Sequence, residues 1–533
     1  SRTDAAVQAL TAGIDVDQPD GVCFHQLVDA VHEGLVEEAC IDQAVHRVLS
    51  VKCRLGLLDD CAPQGSFEML TADPAVHALS RSIAEKSIVL AKNDGVLPLR
   101  ENLTVAVIGP SADTVLPFFG GYSSVGTVNA SNLDFNRSEL DNFRTMMLEI
   151  YTTQRKDKLL ERGIIFDVPP TPEQEAQILE LVKEDLGKRS ERKVYKGQED
   201  FLQRYYPKAK TVRQALSSLL GEEHVLYAPG CGVKLPLEGG IEDALSAAEK
   251  ADVVVAVVGG QESMRSVDAT CGENKDNTNL DLELPQRKLM QALFTTGKPI
   301  VTVLIDGRPL AIRDADCSSN AVLYAWLPGE HGGEAIADIL TGKAVPGGKM
   351  PVTVLRHAGQ IPMRYDLQPL FEGPTHMAEY LDSESSTPLY PFGHGLSYTS
   401  FQYSDLSVSP QVVCGETMEL SFKIRNTGCR PGEEVAQIYM RDLLASVVRP
   451  MRQLAAFARV ALEPGEEKLV HIWIDTPQLA FYGRDMQLGI EPGKRQVMVG
   501  SSCEDIRLRG ETELTGERLL LKQRRFFPKV EII

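Results

Sequence analysis

The run Asp252-Val253-Val254-Val255-Ala256-Val257-Val258, closed by Gly259-Gly260, restricts the possible architectures more than any other stretch of the chain. Valine favours strands, and a strand without polar alternation must be covered on both of its faces. That requirement points to an inner strand of an α/β sheet with helices packed on either side. The flanking sequence agrees. Helical patterns at 212–220, 241–250 and 286–294 alternate with apolar runs at 225–227, 300–305 and 321–326. Alternation of this kind predicts a mainly parallel sheet. Upstream, a helix at 77–85 leads through Ser87-Ile88-Val89-Leu90-Ala91-Lys92-Asn93 to a strand at 104–108, stopped by Gly109-Pro110. The turn Ile108-Gly109-Pro110-Ser111-Ala112 lacks G-x-G-x-x-G and a P-loop lysine, so it reads as a strand end and not as a nucleotide site. Gly120-Gly121-Tyr122 is a loop that could approach a cleft or serve as a plain turn.

Ligand sites in open α/β sheets lie beyond the carboxyl ends of strands. The apolar run is followed there by Cys271-Gly272-Glu273-Asn274-Lys275-Asp276-Asn277-Thr278-Asn279-Leu280-Asp281-Leu282-Glu283-Leu284-Pro285. Gly272 lets the backbone bend beside Glu273. A loop carboxyl held against a cleft wall can have its pKa raised enough to act as a general acid. Local composition alone favours a solvated acidic turn or a helix N-cap over a catalytic carboxyl.

The two ends of the chain read differently. Residues 5–12 are helical in composition, 13–17 a short strand, and 24–58 two amphipathic helices, with Ile41, Val45, Val48 and Leu49 at helical spacing. One strand and a few helices cannot bury their own apolar faces, so another element must cover them. After about residue 400 the period becomes two: Met418, Leu420, Phe422 and Ile424 alternate with polar neighbours, as do Val470, Ile472 and Ile474. Turn signals at Asn426-Thr427-Gly428, Pro464-Gly465-Glu466 and Pro492-Gly493 are spaced as in a β-sandwich. Between 128 and 210 lies a stretch rich in Lys, Arg and Glu. It holds a helical stripe of Leu140, Phe143, Met147, Ile150 and Tyr151, and a capping box, Thr171-Pro172-Glu173-Gln174, opening a helix as far as Gly187. It reads as an inserted helical subdomain, either solvated or in contact with a partner or the site entrance.

Composition excludes some functions. A formal net charge of −19 argues against nucleic acid, anionic membrane or phosphate-rich partners. The ten cysteines form no CxxC pair, so neither a zinc site nor a disulfide scaffold is indicated, and no metal is expected. Several sit in apolar runs, which suggests a reducing compartment and a cytoplasmic location. No apolar run reaches the roughly 18 to 20 residues that a membrane helix needs.

The loop around Glu273 resembles the acid/base loop of glycoside hydrolase family 3, in which Gly-Glu is followed by an Asp-Arg pair and Leu-x-Leu-Pro. Gly272-Glu273, Asp276 and Leu282-Glu283-Leu284-Pro285 match, while Asn277 stands where the family usually has Arg. Five further stretches, in the family's order, resemble its signatures: Ala12-Gly13-Ile14-Asp15-Val16-Asp17-Gln18-Pro19 with the helix at 41–57, the Ser87–Asn93 segment, Asp306-Gly307-Arg308-Pro309-Leu310, Trp326-Leu327-Pro328-Gly329-Glu330-His331-Gly332-Gly333, and Tyr390-Pro391-Phe392-Gly393-His394-Gly395-Leu396-Ser397-Tyr398. The glycines of these stretches read as structural, and Trp326 reads as a core residue.

The resemblance implies a multidomain α/β plus all-β fold: the last βα portion of a TIM-type barrel at 1–60, a linker at 61–75, an α/β sandwich domain at 76–384 with the helical insertion at about 128–210, a linker at 385–400, a fibronectin type III-like domain at 401–515 and a tail at 516–533. It further implies a retaining, exo-acting β-glucosidase or β-xylosidase that needs no cofactor, with Glu273 as general acid/base. The family's nucleophile is an Asp in a Ser-Asp-Trp-like motif, which this sequence lacks, and Asp4 in Arg2-Thr3-Asp4-Ala5 is a poor substitute. The nucleophile and most of the barrel are therefore expected outside this chain, on an amino-terminal barrel chain or a neighbouring subunit. The competing expectations are a non-catalytic carbohydrate-binding or scaffolding subunit, and a fragment whose apolar Leu49, Leu55 and Leu57 would favour aggregation.

Overall fold

The computed structural model describes residues 1–18, 21–58, 73–128, 148, 151–152, 159, 162–164, 170–191, 198–262, 269–273, 276–368 and 385–533. The helical stripe expected from Leu140 to Ile150 lies outside these residues. Two compact units are formed, one from 1–72 and 135–194, the other from 73–134 and 195–533.

The first unit is helical where it is described. Helices Arg2–Thr11, Leu27–His32 and Glu38–Arg54 enclose a small core of Ala6, Leu10, Leu27 and Ala44. Ser1 closes the first helix with a reciprocal capping box to Asp4. Asp4, weighed above against the missing nucleophile, is thus an exposed capping residue. The short strand expected at 13–17 does not form. A strand needs a neighbour to take its backbone hydrogen bonds, and among the described residues none pairs with this segment, whose Ile14 and Val16 are about half exposed. Arg47 instead reaches Asp15 at 2.8 Å. Farther along, helix Pro172–Glu191, begun by the Thr171–Gln174 capping box, packs Ile178, Leu181 and Val182 on Tyr151 and Leu159.

The second unit holds the sheet that the apolar run predicts. Strands β1 (Val89–Asn93), β2 (Val105–Ile108), β3 (Val225–Ala228), β4 (Val253–Gly259), β5 (Ile300–Ile305) and β6 (Ala321–Tyr324) lie in the order β1-β6-β5-β4-β2-β3. All neighbours are parallel except β1, which closes one edge antiparallel to β6. Alternate residues feed two cores. Val253, Val255 and Val257 face helices Pro74–Ser87, Val212–Leu220 and Gly332–Thr341; Val254, Ala256 and Val258 face helices Gly240–Glu249 and Leu284–Phe294. All of β4 is buried, which explains its unbroken apolar sequence. Helix Gln198–Tyr205 also belongs to this unit, where Phe201 and Leu202 pack on Val125.

Beyond residue 400 the same unit continues as a β-sandwich. Its strands are β7 (Phe401–Val408), β8 (Gln411–Val413), β9 (Thr417–Asn426), β10 (Gly432–Asp442), β11 (Gln453–Leu462), β12 (Glu467–Asp475), β13 (Phe481–Tyr482), β14 (Leu488–Ile490), β15 (Gly493–Gly500), β16 (Ile506–Thr515), β17 (Leu519–Leu520) and β18 (Lys529–Ile532). Sheets β11-β10-β15-β16-β8 and β18-β12-β9-β7 share a core of Met418, Leu420, Phe422, Ile424, Ile438, Val470, Ile472 and Val497. Residues 516–533 do more than trail from the sandwich, since β18 pairs with β12 and completes an edge. The segment from Tyr390 to Tyr398 is packed against the α/β domain. Leu396 bridges to Leu90, the His394 ring nitrogen Nε2 donates to the Ala91 carbonyl at 2.7 Å, and Tyr398 donates to the Ile339 carbonyl at 2.8 Å. From the sandwich side, Gln437 donates to the Gly393 carbonyl at 3.0 Å and Lys349 pairs with Glu434 at 3.1 Å. Among the described residues no helix is long and apolar enough to cross a membrane, and nine cysteines are free.

Candidate functional site

Strands β2 and β4 are neighbours, but the chain leaves them in opposite directions: β2 continues to β3 on one side and β4 to β5 on the other. Loops at their carboxyl ends therefore diverge, and the crevice between them is where sheets of this order take ligands. Gly120-Gly121-Tyr122 comes from the β2 side; Glu262 and Glu273 come from the β4 side.

The β4 loop is held by its own backbone. Glu262 forms a parallel bridge with Cys271, the Thr270 N–H donates to the Gln261 carbonyl at 2.9 Å, and the Gln261 N–H donates to Thr270 Oγ1 at 3.1 Å. Asn277 donates through Nδ2 to the Thr270 carbonyl, so the residue that replaces the customary Arg fastens the loop carrying Glu273. Gly260 allows this path, because a Cβ there would collide with Asp306 Oδ2 and Thr270 Oγ1. The Glu262 carboxylate lies over Gly120, where a Cβ would stand 3.0 Å from Oε2.

Beneath the loop, Asp306 at the end of β5 is buried, and the Arg308 N–H donates to its Oδ1 at 2.8 Å. Burial raises the Asp306 pKa, the Arg308 charge opposes that rise, and Glu262 adds to it. The Cys271 thiol is pushed up by burial and then by the Asp306 charge. Above the loop, Glu273 is exposed. Tyr122, itself 71 % exposed, faces it. Desolvation raises the Tyr122 pKa, and the charge of Glu273 and a hydrogen bond to it raise it further. These groups form an acidic crevice wall on which the Tyr122 phenol lies close enough to the exposed Glu273 carboxylate to feel its charge. Such a pair can bind a sugar hydroxyl or glycosidic oxygen, and the carboxyl can exchange a proton with it.

Sequence reasoning singled out Glu273 but missed Glu262 and the Asp306–Arg308 pair as its neighbours, and left Tyr122 undecided. The available signal was position: Gly120-Gly121, Gly260 and Asp306-Gly307-Arg308 all come after sheet strands. Trp326 lies partly buried against the core, its ring 5.6 Å from that of Tyr324.

Residues 88–398 match the glycosyl hydrolase family 3 C-terminal domain, and residues 434–503 match a fibronectin type III-like domain. The chain is 34% identical over 512 residues to a periplasmic β-glucosidase of Salmonella typhimurium, covering 93% of this chain and 58% of that protein. It is 31% identical over 517 residues to a β-xylosidase of Formosa agariphila, covering 95% of this chain and 60% of the relative. The crystal structure of a β-glucosidase from Listeria innocua in complex with glucose aligns with a TM-score of 0.73 at 26% identity, over 97% of this chain and 60% of that one. This chain thus spans 58% and 60% of the two relatives' lengths. With the family domain matched over more than half of its residues, the chain belongs to glycosyl hydrolase family 3.

Proposed function

We propose that this chain is part of a retaining, exo-acting β-glycosidase, a β-glucosidase or a β-xylosidase, that removes terminal non-reducing β-linked sugars. Glu273 is the general acid/base. It protonates the leaving glycosidic oxygen as a nucleophilic carboxylate attacks the anomeric carbon, then takes a proton from the water that releases the sugar; retention needs the two carboxyls about 5 Å apart. The nucleophile is supplied from outside this chain, by a barrel polypeptide or a neighbouring subunit.

The observation that carries the reading is the exposed Glu273 at the crevice between β2 and β4, with Tyr122 within reach of its charge. Three further facts support it. The sequence has no Ser-Asp-Trp-like motif, Leu55 and Leu57 in the first unit are about two-thirds exposed, and the relatives are named β-glucosidases and β-xylosidases. Nine thiols that are free among the described residues are in keeping with a reducing compartment.

Native mass spectrometry of the purified material, followed by hydrolysis of aryl β-glucosides and β-xylosides, tests the assembly: a second, barrel-sized polypeptide accompanying turnover is expected. A lone chain without turnover would favour a carbohydrate-binding role. In the active assembly, Glu273→Ala should slow poor leaving groups about 10²–10⁴-fold. It should spare activated aryl glycosides and respond to added azide. Unchanged kinetics would remove Glu273 from the mechanism.

A further inference from the structure

Helix Pro74–Ser87 and the turn that starts helix Gly332–Thr341 bring together three side chains that the glycosidase reading does not use. His77 Nδ1 lies 3.1 Å from His331 Nε2 and 3.5 Å from Glu330 Oε2, and the last two atoms are 4.0 Å apart. We infer that His77, Glu330 and His331 form a binding site for one divalent transition-metal ion of the zinc class.

The spacing is that of a ligand set. Donor atoms at about 2.0–2.1 Å from a tetrahedral zinc ion stand roughly 3.4 Å from one another, and the three distances bracket that edge. Two imidazole nitrogens and one carboxylate oxygen are borderline donors, suited to zinc, cobalt or nickel and not to calcium or magnesium. Three protein ligands leave a fourth position for water.

The surroundings fit the same chemistry. His331 Nδ1 lies 2.6 Å from Glu334 Oε2, so the ring donates its Nδ1–H there and turns the Nε2 lone pair toward His77 and Glu330. This carboxylate–histidine arrangement is how proteins orient zinc-binding imidazoles. Arg81, 3.7 Å from Glu334 and paired with Asp338, balances the outer carboxylate. The three side chains are only 13%, 13% and 8% exposed for His77, Glu330 and His331. Glu330 Oε1 is buried without a hydrogen-bond partner among the described residues. An unpartnered carboxylate oxygen in such a place is unfavourable, and a cation bound to this carboxylate would compensate it. No sequence motif announces the site, because His77 and His331 are 254 positions apart.

The competing arrangement is a plain chain of hydrogen bonds, His77 Nδ1–H to His331 Nε2 and His331 Nδ1–H to Glu334, with no ion. Equilibrium dialysis of the chelator-stripped full chain against zinc, with metal counted by mass spectrometry, separates the two. Wild type should retain one equivalent more than His77→Ala or Glu330→Gln, a difference that is insensitive to zinc held by the free cysteines. Cobalt should give the corresponding extra equivalent a d–d spectrum without thiolate charge transfer. Zinc should raise the melting temperature of wild type but not of the variants, and Glu334→Gln should weaken the extra equivalent about 10–100-fold. Equal metal content in wild type and in Glu330→Gln, which keeps the side chain's shape and so the fold, would overturn the inference and leave the hydrogen-bonded chain.

Discussion

Gln286 holds Gly259, the last residue of β4, at both of its backbone groups: its Oε1 accepts from the Gly259 N–H at 2.9 Å, and its Nε2 donates to the Gly259 carbonyl at 2.8 Å. The same nitrogen donates to the Val233 carbonyl at 2.8 Å. A fully buried amide thus fixes the strand end from which the Glu273 loop departs. Gln286→Leu would strand these groups away from water at about 1–3 kcal/mol each. The expected outcome is a lower urea midpoint with an unchanged slope; an unchanged midpoint would mean that the backbone finds other partners.

Tyr122 reports on Glu273. Its pKa stands above that of an ordinary phenol through desolvation, and next through the neighbouring carboxylate, which disfavours the phenolate. In Glu273→Gln the phenol should therefore titrate at lower pH than in wild type, though not all the way to the free value. Ultraviolet or NMR titration of this tyrosine checks it, and coincident curves would separate the two residues.

Asp306 gives a pH signature. Burial raises its folded-state pKa above the unfolded value, so the fold favours the neutral carboxyl. That contribution is fully present below the ordinary Asp range and is lost as pH rises through the raised value. Asp306→Asn cannot ionise, so its stability relative to wild type should improve as pH climbs through this window. Chemical denaturation at several pH values reads the trend; a flat difference would place the titration elsewhere.

The closing strand protects an edge. β18 pairs Val470 with Ile532 and Ile472 with Val530, and Lys529 Nζ sits 4.3 Å over the Trp473 ring. Ending the chain after Pro528 would leave the ladder groups of β12 open to other chains. Concentration-dependent association in size-exclusion chromatography is expected. An unchanged elution volume across dilution would show that the edge tolerates exposure.

Much of the fold was legible because its strands carry their burial in their letters. β4, covered on both faces, is apolar throughout, and β9, covered on one, alternates from Met418 to Ile424. The segment at 13–17 misled because local composition cannot say whether a pairing partner exists. β18 was missed because Lys529-Val530-Glu531-Ile532 is too short and charged to signal a strand without its partner. Glu273 could be nominated from its loop, whereas Tyr122 and Glu262 joined it only when β2 and β4 were seen side by side. The contact of His77 with His331 is likewise made by folding, with no local pattern to reveal it.

The packed segment from Tyr390 to Tyr398 bears on modularity. It is held on one side by Leu90 through its backbone and by Ala91 and Ile339 through the His394 and Tyr398 side chains, and on the other by Gln437, while Lys349 reaches across to Glu434 and Ser501. A sandwich domain from an unrelated protein could not be grafted on at residue 400 without losing half of these anchors. Recombination within such a lineage would have to move both domains together, as a single heritable block.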